Sequence, residues 1–356
     1  MTDSATLTLE DGSSFSGTRF GWPVSVTGEV VFNTGMVGYP ECLTDPSYRG
    51  QVLVLTYPLV GNYGVPGRGK NGSIPPHHES GRIQVSALVV AESCARHSHW
   101  NAAGSLDDWL RSEQVPGLAG VDTRALTQVL RQAGTMLGKV CLPGDDMPLR
   151  DPNQENLVAR VSISEPRTYG TGRKRVTVVD CGCKDNILRA LLKRGVAVTV
   201  VPWDWPLDEQ LDCDGVVLSN GPGDPQRCGS TIQHVRRLLD GQTPILGICL
   251  GSQILALAAG AETYKLKYGH RSQNQPCVLV GTQRCFITSQ NHGYAVDETS
   301  LPEDWEPWFR NANDGTNEGV RHRRRPWMGV QFHPEASPGP VDTAFIFDQF
   351  LAQLAR

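Results

Sequence analysis

The most informative residues for the fold of the second half of this chain are Pro244-Ile245-Leu246-Gly247-Ile248-Cys249-Leu250-Gly251. Its apolar beginning predicts a buried strand, and the apolar residues from Ile254 to Ala259 predict a helix. A strand that turns directly into a helix leaves little room for side chains on either side of the turn, which explains the glycines at positions 247 and 251. We therefore predict a nucleophile elbow that exposes the sulfur of Cys249 at the first turn of the helix.

A second motif supplies the groups that a cysteine nucleophile requires. The helix N-terminus favours the thiolate of Cys249, which is the attacking form, but the thiolate also needs a base and the base needs an orienting partner. The apolar run 328–332 predicts a strand that ends in His333-Pro334-Glu335. A single cysteine is usually a small buried hydrophobe and a single histidine a structural one. The two motifs together favour a catalytic triad of Cys249, His333 and Glu335.

Strands and helices alternate on both sides of the elbow. This alternation is typical of a doubly wound parallel α/β sheet, in which ligands bind at the carboxyl ends of the strands. Asn220, Cys249 and His333 would all lie at those ends. The predicted strands are 176–179, 196–201, 215–218 and the strand before Cys249, and the predicted helices are 186–194 and 231–239.

The first part of the chain has a different pattern. Short apolar runs separated by Gly and Pro, such as Gln51–Thr56 and Ser86–Val90, predict a smaller, strand-rich α/β domain over residues 1–145. Residues 146–174 are polar and rich in Pro, Asp and Arg, which predicts a linker. Residues 175–356 then form the doubly wound domain.

Composition excludes several classes of protein. The 356 residues are 39% hydrophobic and 20% charged, as in ordinary globular proteins, and the net charge of −4 gives no indication of nucleic-acid binding. No apolar run has the length needed to cross a bilayer, and the N-terminus lacks the apolar core of a signal peptide, so no membrane association is expected. Ten scattered cysteines predict a reducing, cytoplasmic location.

A metal site is not expected from the sequence. His77-His78 and the pair His97 and His99 could supply nitrogen ligands, but no matching set of cysteines or carboxylates accompanies them. The prediction is therefore a site without metal.

At the two motifs the chain resembles the class I (triad) glutamine amidotransferases. Further stretches make it similar to the small, glutaminase subunit of carbamoyl phosphate synthetase, over nearly the whole chain and most of all to the glutaminase region of the fused eukaryotic pyrimidine multienzyme. The stretches that carry the resemblance are Gly28–Pro40, Leu218–Pro225, Lys267–Arg271, Asn274–Cys277 and Gln290–Val296.

The resemblance implies that the chain hydrolyses the side-chain amide of L-glutamine through a thioester on Cys249. The backbone N–H of Leu250 would serve the oxyanion by geometry, with Gly221 as the second donor. The implied glutamine-binding residues are Ser47, Gly221, Gly223, Leu250, Gln253, Asn291, Gly293 and Tyr294. Without the resemblance, Ser47 is better explained as a turn-forming serine after proline.

The resemblance also implies a partner. Making carbamoyl phosphate requires ATP, but Gly67-Arg68-Gly69-Lys70 lacks the spacing of a phosphate-binding loop. We therefore expect no cofactor in this chain, with ATP and Mg²⁺ used by a synthetase large subunit or fused synthetase domain.

Three alternatives remain at the level of sequence: the glutaminase of another amidotransferase, a catalytically silent scaffolding subunit, and a free-standing γ-glutamyl hydrolase. The chain departs from the usual subfamily residues at Ser252, Ser272 and Tyr294. None of these departures removes a reacting group, but Ser252, beside the elbow, could alter the thiolate or the shape of the pocket.

Overall fold

The computed structural model describes residues 4–69, 74–207 and 212–354, so Lys70 of the glycine-rich stretch lies outside the described residues. The chain divides into two compact units, Met1–Gln154 and Glu155–Arg356. No helix within the described ranges combines the length and apolar character that a membrane span requires.

The first unit is built mainly from short strands. Its strands are β1 (Ser4–Leu9), β2 (Ser14–Gly21), β3 (Val26–Asn33), β4 (Gln51–Leu55), β5 (Leu59–Val60), β6 (Val65–Pro66), β7 (Ala87–Val89), β8 (Glu92–Ser93), β9 (Ala102–Gly104), β10 (Pro116–Ala119) and β11 (Met136–Cys141). Its helices are α1 (Tyr39–Thr44), α2 (Leu106–Ser112) and α3 (Thr123–Ala133), with 3₁₀ turns at Pro46–Tyr48 and Pro152–Gln154.

Seven of these strands close into a barrel in the order β1-β11-β3-β4-β7-β10-β2. The neighbours β3, β4, β7 and β10 run parallel, and the other pairs are antiparallel. Apolar side chains from β4 and β7, such as Leu53 and Leu88, pack with Leu106 and Leu110 of α2. The predicted strand-rich character is confirmed. Closure of the barrel was not predicted, because it depends on strand pairs far apart in sequence.

The second unit alternates strands with helices. Its strands are β12 (Arg167–Tyr169), β13 (Arg175–Asp180), β14 (Ala197–Pro202), β15 (Gly215–Leu218), β16 (Ile245–Ile248), β17 (Glu262–Leu279), β18 (Cys285–Asp297), β19 (Trp305–Asn311), β20 (Asn317–His322) and β21 (Trp327–Val330). Its helices are α4 (Val158–Val161), α5 (Asp185–Lys193), α6 (Gly229–Leu238), α7 (Leu250–Ala259) and α8 (Phe345–Gln353), with 3₁₀ turns at Pro225–Arg227 and Glu298–Ser300.

These strands form one ten-stranded sheet in the order β12-β14-β13-β15-β16-β21-β20-β19-β17-β18. The five strands from β14 to β21 are parallel, which confirms the predicted parallel α/β sheet at its centre. Every residue of β15 and β16 is buried, as expected for parallel strands covered on both faces. The antiparallel strands β17 to β20 extend the sheet beyond this centre and were not predicted.

The predicted linker contains regular structure. Within residues 146–174 lie α4 and β12, and β12 pairs antiparallel with β14 at the edge of the sheet. An edge strand has one side open to solvent, so its polar sequence is indistinguishable from that of a linker. The placement of the domain boundaries stays a prediction.

The turn from β16 into α7 depends on close approach of backbones. A Cβ atom on Gly247 would lie 2.6 Å from the carbonyl oxygen of Gly251. A Cβ atom on Gly251 would overlap the carbonyl oxygen of Leu218 at the end of β15. Both glycines are thus required for α7 to begin directly above the sheet, which fixes where Cys249 lies.

We predict that Gly251→Ala lowers stability by about 1–3 kcal/mol, because the added methyl group must displace the β15 backbone. Differential scanning calorimetry would measure this as a fall in Tm. Gly229→Ala, at the start of α6, is the matched control, because a Cβ atom there meets nothing within 4 Å and alanine favours a helix. Equal Tm values for the two variants would contradict the prediction.

Candidate active site

Cys249 occupies a strained turn between strand and helix. It is the N-cap of α7 with φ 52° and ψ −108°, a conformation that non-glycine residues rarely adopt. Its backbone N–H donates to the carbonyl of Val330 on the neighbouring strand at 2.8 Å, which holds the turn in place. The side chain is a free thiol with 2% exposure. These features are those of a nucleophile elbow.

His333 and Glu335 form a buried pair beyond β21. The Nδ1 atom of His333 lies 2.6 Å from Oε1 of Glu335. The ammonium group of Lys184 lies 3.1 Å from the same carboxylate oxygen and donates to the carbonyl of Ala336 at 2.6 Å. Both Lys184 and Glu335 have nearly fully buried side chains. Glu335 therefore lies between two cationic groups in a dry environment.

The electrostatics of this pair favour its charged form. Burial alone would lower the pKa of His333, but the charges of Glu335 and Cys249 outweigh it and raise the pKa to about 10. Burial alone would raise the pKa of Glu335, but the charges of Lys184 and His333 lower it to about 2. His333 is thus an imidazolium at neutral pH, and Glu335 a carboxylate.

The free nitrogen of His333 is the one available to the nucleophile. Nδ1 is engaged by Glu335, whereas buried Nε2 has no hydrogen-bond partner among the described residues. The sulfur of Cys249 lies 3.6 Å from Nε2 of Gln331 and 3.6 Å from the carbonyl oxygen of Asn291. An imidazolium beside a cysteine sulfur can supply a proton to a leaving group.

The two residues predicted to supply the oxyanion donors, Leu250 and Gly221, lie close to each other. Leu250 is the first residue of α7, so its N–H has no acceptor within the helix. The loop after β15 comes close to this residue, because a Cβ atom on Gly221 would lie 2.7 Å from Cδ2 of Leu250. It would also overlap the carbonyl oxygen of Cys181. Glycine at this position permits the close approach that an oxyanion donor requires.

The predicted glutamine-binding residues lie on several elements. Gln253 is on α7, and its Nε2 donates to the carbonyl of Tyr294 at 2.7 Å and to Oε1 of Gln331 at 2.9 Å. Asn291, Gly293 and Tyr294 lie on β18, and β18 pairs with β17. Gly223 has a positive φ of 83° in the loop after β15.

Ser47 lies in the first unit, in the 3₁₀ turn at Pro46–Tyr48. It is buried, and its N–H donates to Oδ1 of Asp45 at 2.9 Å. This is the turn-forming role expected from local sequence. Its role in binding glutamine stays a prediction.

Sequence reasoning missed Lys184 and Gln331. Lys184 lies just before α5, where nothing in its local sequence indicates a contact with Glu335. Gln331 lies two residues before His333, and this closeness to the motif could have indicated its role.

Ser252 is buried on α7 and packs against β21, since a Cβ atom on Gly329 would lie 2.5 Å from its Oγ.

The raised pKa of His333 predicts a pH-dependent contribution to stability. A histidine whose pKa rises on folding, from about 6.5 in the unfolded chain, stabilises fully at lower pH. That contribution is lost as pH rises through about 10. The difference in unfolding free energy between wild type and His333→Asn should therefore shrink from pH 6 to pH 10, as urea denaturation would measure.

The control for this measurement is His99→Asn, because His99 is exposed in the first unit. The difference in unfolding free energy between wild type and His99→Asn should not shrink in the same way from pH 6 to pH 10. A difference for His333→Asn that is constant or grows with pH would contradict the assigned protonation.

The chain is similar to several known proteins. One relative, the arginine-specific small chain of carbamoyl phosphate synthase from Neosartorya fischeri, is 49% identical over 99% of this chain and 80% of that protein. Multifunctional protein CAD from Squalus acanthias is 53% identical over 98% of this chain, which spans only 16% of the length of CAD. The solved structure of a glutamine amidotransferase from Methylobacillus flagellatus is 15% identical with a TM-score of 0.41, over 52% of this chain and 97% of that one.

Family models match both parts of the chain. The model of the carbamoyl-phosphate synthase small chain, CPSase domain, matches residues 7–140. The model of the class-I glutamine amidotransferases matches residues 177–353. These matches confirm the predicted fold class and the resemblance of the motifs. The chain belongs to the carbamoyl phosphate synthase small chain family and carries a class-I glutamine amidotransferase domain.

Proposed function

We propose that the chain is the glutaminase component of a glutamine-dependent carbamoyl phosphate synthetase. It hydrolyses L-glutamine to glutamate and ammonia and passes the ammonia to an ATP-dependent synthetase partner. The observation that carries the proposal is the elbow cysteine Cys249 beside the buried pair of His333 and Glu335. The small-chain family of the first unit distinguishes this proposal from the glutaminase of another amidotransferase.

The first half of the reaction forms a thioester. The thiolate of Cys249 attacks the amide carbon of glutamine, and the carbonyl oxygen becomes an oxyanion. The tetrahedral intermediate collapses as the amide nitrogen takes a proton from His333, so that the C–N bond breaks and ammonia leaves. The raised pKa of His333 means that the proton is already in place.

The second half regenerates the enzyme. Neutral His333 removes a proton from water, whose oxygen attacks the thioester carbon. The intermediate expels the thiolate of Cys249, glutamate is released, and the imidazolium is restored. Glu335 orients His333 through Nδ1 in both halves. The N–H groups of Leu250 and Gly221 would stabilise both oxyanions, and loss of one such donor typically costs about 3 kcal/mol.

Recognition of glutamine requires polar groups at its amino and carboxylate ends. We assign this role to Gly223, Gln253, Asn291, Gly293 and Tyr294, together with the two oxyanion donors, while the role of Ser47 stays a prediction from the resemblance. The support for Gln253, Asn291 and Tyr294 is their connection to the nucleophile, directly or through Gln331.

A synthetase partner completes the proposed activity. Carbamoyl phosphate synthesis consumes ATP with Mg²⁺, and the sequence of this chain shows no phosphate-binding loop. The partner is either a separate large subunit or a fused domain. The names of the relatives, one a small chain and one a multifunctional protein, support both forms. A cytoplasmic location is part of the proposal, supported by ten free cysteines.

Replacing the nucleophile tests the proposal. Cys249→Ser should lose glutamine hydrolysis by at least about a thousandfold in the presence of a synthetase large subunit, while synthesis from added ammonia persists. The control is Cys285→Ser, because Cys285 is exposed. Absence of glutaminase activity in wild type, with the partner bound, would instead support the silent scaffold. Full activity without any partner would support a free-standing hydrolase.

Gln253→Ala should raise KM for glutamine by about tenfold and leave kcat within about twofold. The variant removes the donor to the Tyr294 carbonyl and leaves that partly buried acceptor with one hydrogen bond fewer. Steady-state glutaminase kinetics measure the effect, with exposed Gln353→Ala as the control. A fall in kcat at constant KM would show that Gln253 acts on the chemistry rather than on binding.

A further inference from the structure

A buried polar cluster beside the segment Asn291–Tyr294 has no role in the mechanism above. It consists of His270 on β17, Gln290 and His292 on β18, and Glu318 on β20, and we call it the His270 cluster. The pairing of β17 with β18 places His270 opposite His292, and the two rings meet edge to face with centroids 5.0 Å apart. All four side chains are buried.

Glu318 and His270 form the deeper half of the cluster. His270 Nδ1 lies 3.1 Å from Oε1 of Glu318, and its Nε2 lies 2.8 Å from Oδ2 of Asp314. Burial alone would lower the pKa of His270, but its hydrogen bonds and the charges of both carboxylates raise it. Burial also raises the pKa of Glu318. The hydrogen bond between Nδ1 of His270 and Oε1 of Glu318 joins the two buried side chains.

Gln290 connects this pair to His292. The oxygen of its side-chain amide lies 3.0 Å from Nδ1 of His270 and 3.0 Å from Nε2 of His292. On the other side of the ring, Nδ1 of His292 lies 2.8 Å from the carbonyl oxygen of Tyr294. The Tyr294 carbonyl and the Gln290 oxygen can both only accept, and burial lowers the pKa of His292, so its neutral ring has one proton for two acceptors. Because the Gln290 oxygen also lies within hydrogen-bond reach of Nδ1 of His270, we place the proton of His292 on Nδ1, from which it is donated to Tyr294.

The carbonyl of Tyr294 is where the cluster meets the proposed glutamine site. It accepts from Nδ1 of His292 and from Nε2 of Gln253, at 2.8 and 2.7 Å. Gln253 in turn contacts Gln331, whose Nε2 lies 3.6 Å from the sulfur of Cys249. A continuous series of polar contacts therefore joins a fully buried carboxylate to the substrate-binding segment.

The burial of Glu318 is not explained by stability. Its side chain has no exposure, and Oε2 has no hydrogen-bond partner in the described part of the chain. Well-packed apolar residues often stabilise a protein more than buried ionic groups do. Buried groups with incomplete hydrogen bonding call for a functional explanation.

A hydrogen-bonded network explains the cluster better than a cation does. The ligand-type atoms of His270, His292 and Glu318 lie within 4.8 Å of one another, which is a spacing that a divalent cation could use. However, both ring nitrogens of each histidine already have polar partners. The geometry thus favours a network that sets the orientation of His292.

We propose that Glu318 and His270 are positioning residues for glutamine. They fix the ring and the tautomer of His292 through Gln290, and His292 then holds the backbone of Asn291–Tyr294 in its binding conformation. The inference rests on the proposed function, because the segment binds glutamine only if the chain is a glutaminase. Neither residue is assigned a contact with the reacting atoms.

The test is steady-state glutamine hydrolysis by wild type and Glu318→Gln in complex with a synthetase large subunit. We expect KM for glutamine to rise at least about tenfold, with kcat within about twofold, and Glu318→Asp to recover part of the loss. Glu306→Gln is the control, because Glu306 pairs with arginines at the surface. In ¹⁵N-histidine-labelled protein, the His292 signals should report Nδ1–H in wild type and a changed tautomer in Glu318→Gln.

If Glu318→Gln fails to fold, Asp314→Asn tests the same network from the half-exposed side of His270 and should raise KM in the same direction. Unchanged KM and unchanged His292 signals overturn the inference alone. A fall in kcat at constant KM also overturns it. One equivalent of zinc that is present in wild type and lost in Glu318→Gln would identify a cation site instead. Wild type that hydrolyses no glutamine overturns the proposed function, and the inference with it.

Discussion

The turn from β16 into α7 passes so close to the end of β15 that two glycines are needed to make it. The carbonyl of Leu218 lies where a side chain of Gly251 would have to go, and the start of α7 lies where a side chain of Gly247 would go. Because the helix begins directly above the sheet, Cys249 is forced to a positive φ. The position of the sulfur is thus set by backbone packing.

The other site residues of the second unit depend on the same strands. β15, β16 and β21 are adjacent and parallel, so the loops that follow them meet at the carboxyl ends of these strands. Gly221, Cys249 and His333 each follow one of these strands. The low dielectric at this buried end of the strands strengthens every charge interaction there. This is why Glu335 can hold His333 as an imidazolium beside the sulfur of Cys249, while Lys184 offsets the charge of Glu335.

The antiparallel half of the sheet supports the residues at these strand ends. β17 to β20 carry a set of buried polar side chains whose contacts continue from Gln253 and Tyr294 to Glu318. An apolar core under the same strands would leave the backbone of the Asn291–Tyr294 segment held by strand pairing and by the hydrogen bond from Gln253. The polar core adds direction, because each hydrogen bond fixes the orientation of the next side chain.

Local sequence was enough to predict the parallel centre of the second unit, the elbow at Cys249 and the pairing of His333 with Glu335. Each of these depends on residues close together along the chain, where periodicity and glycine spacing report the local backbone. The long-range packing of the fold was needed to show the closed barrel, the strand at Arg167–Tyr169, and the contacts made by Lys184, Gln331 and the His270 cluster. Lys184 and Glu335 are far apart in sequence, as are His270 and Glu318, so no local pattern encodes their meeting. The order of the strands brings these residues together. Burial then requires the pairing, because a charged group removed from water is costly unless it is paired and hydrogen-bonded.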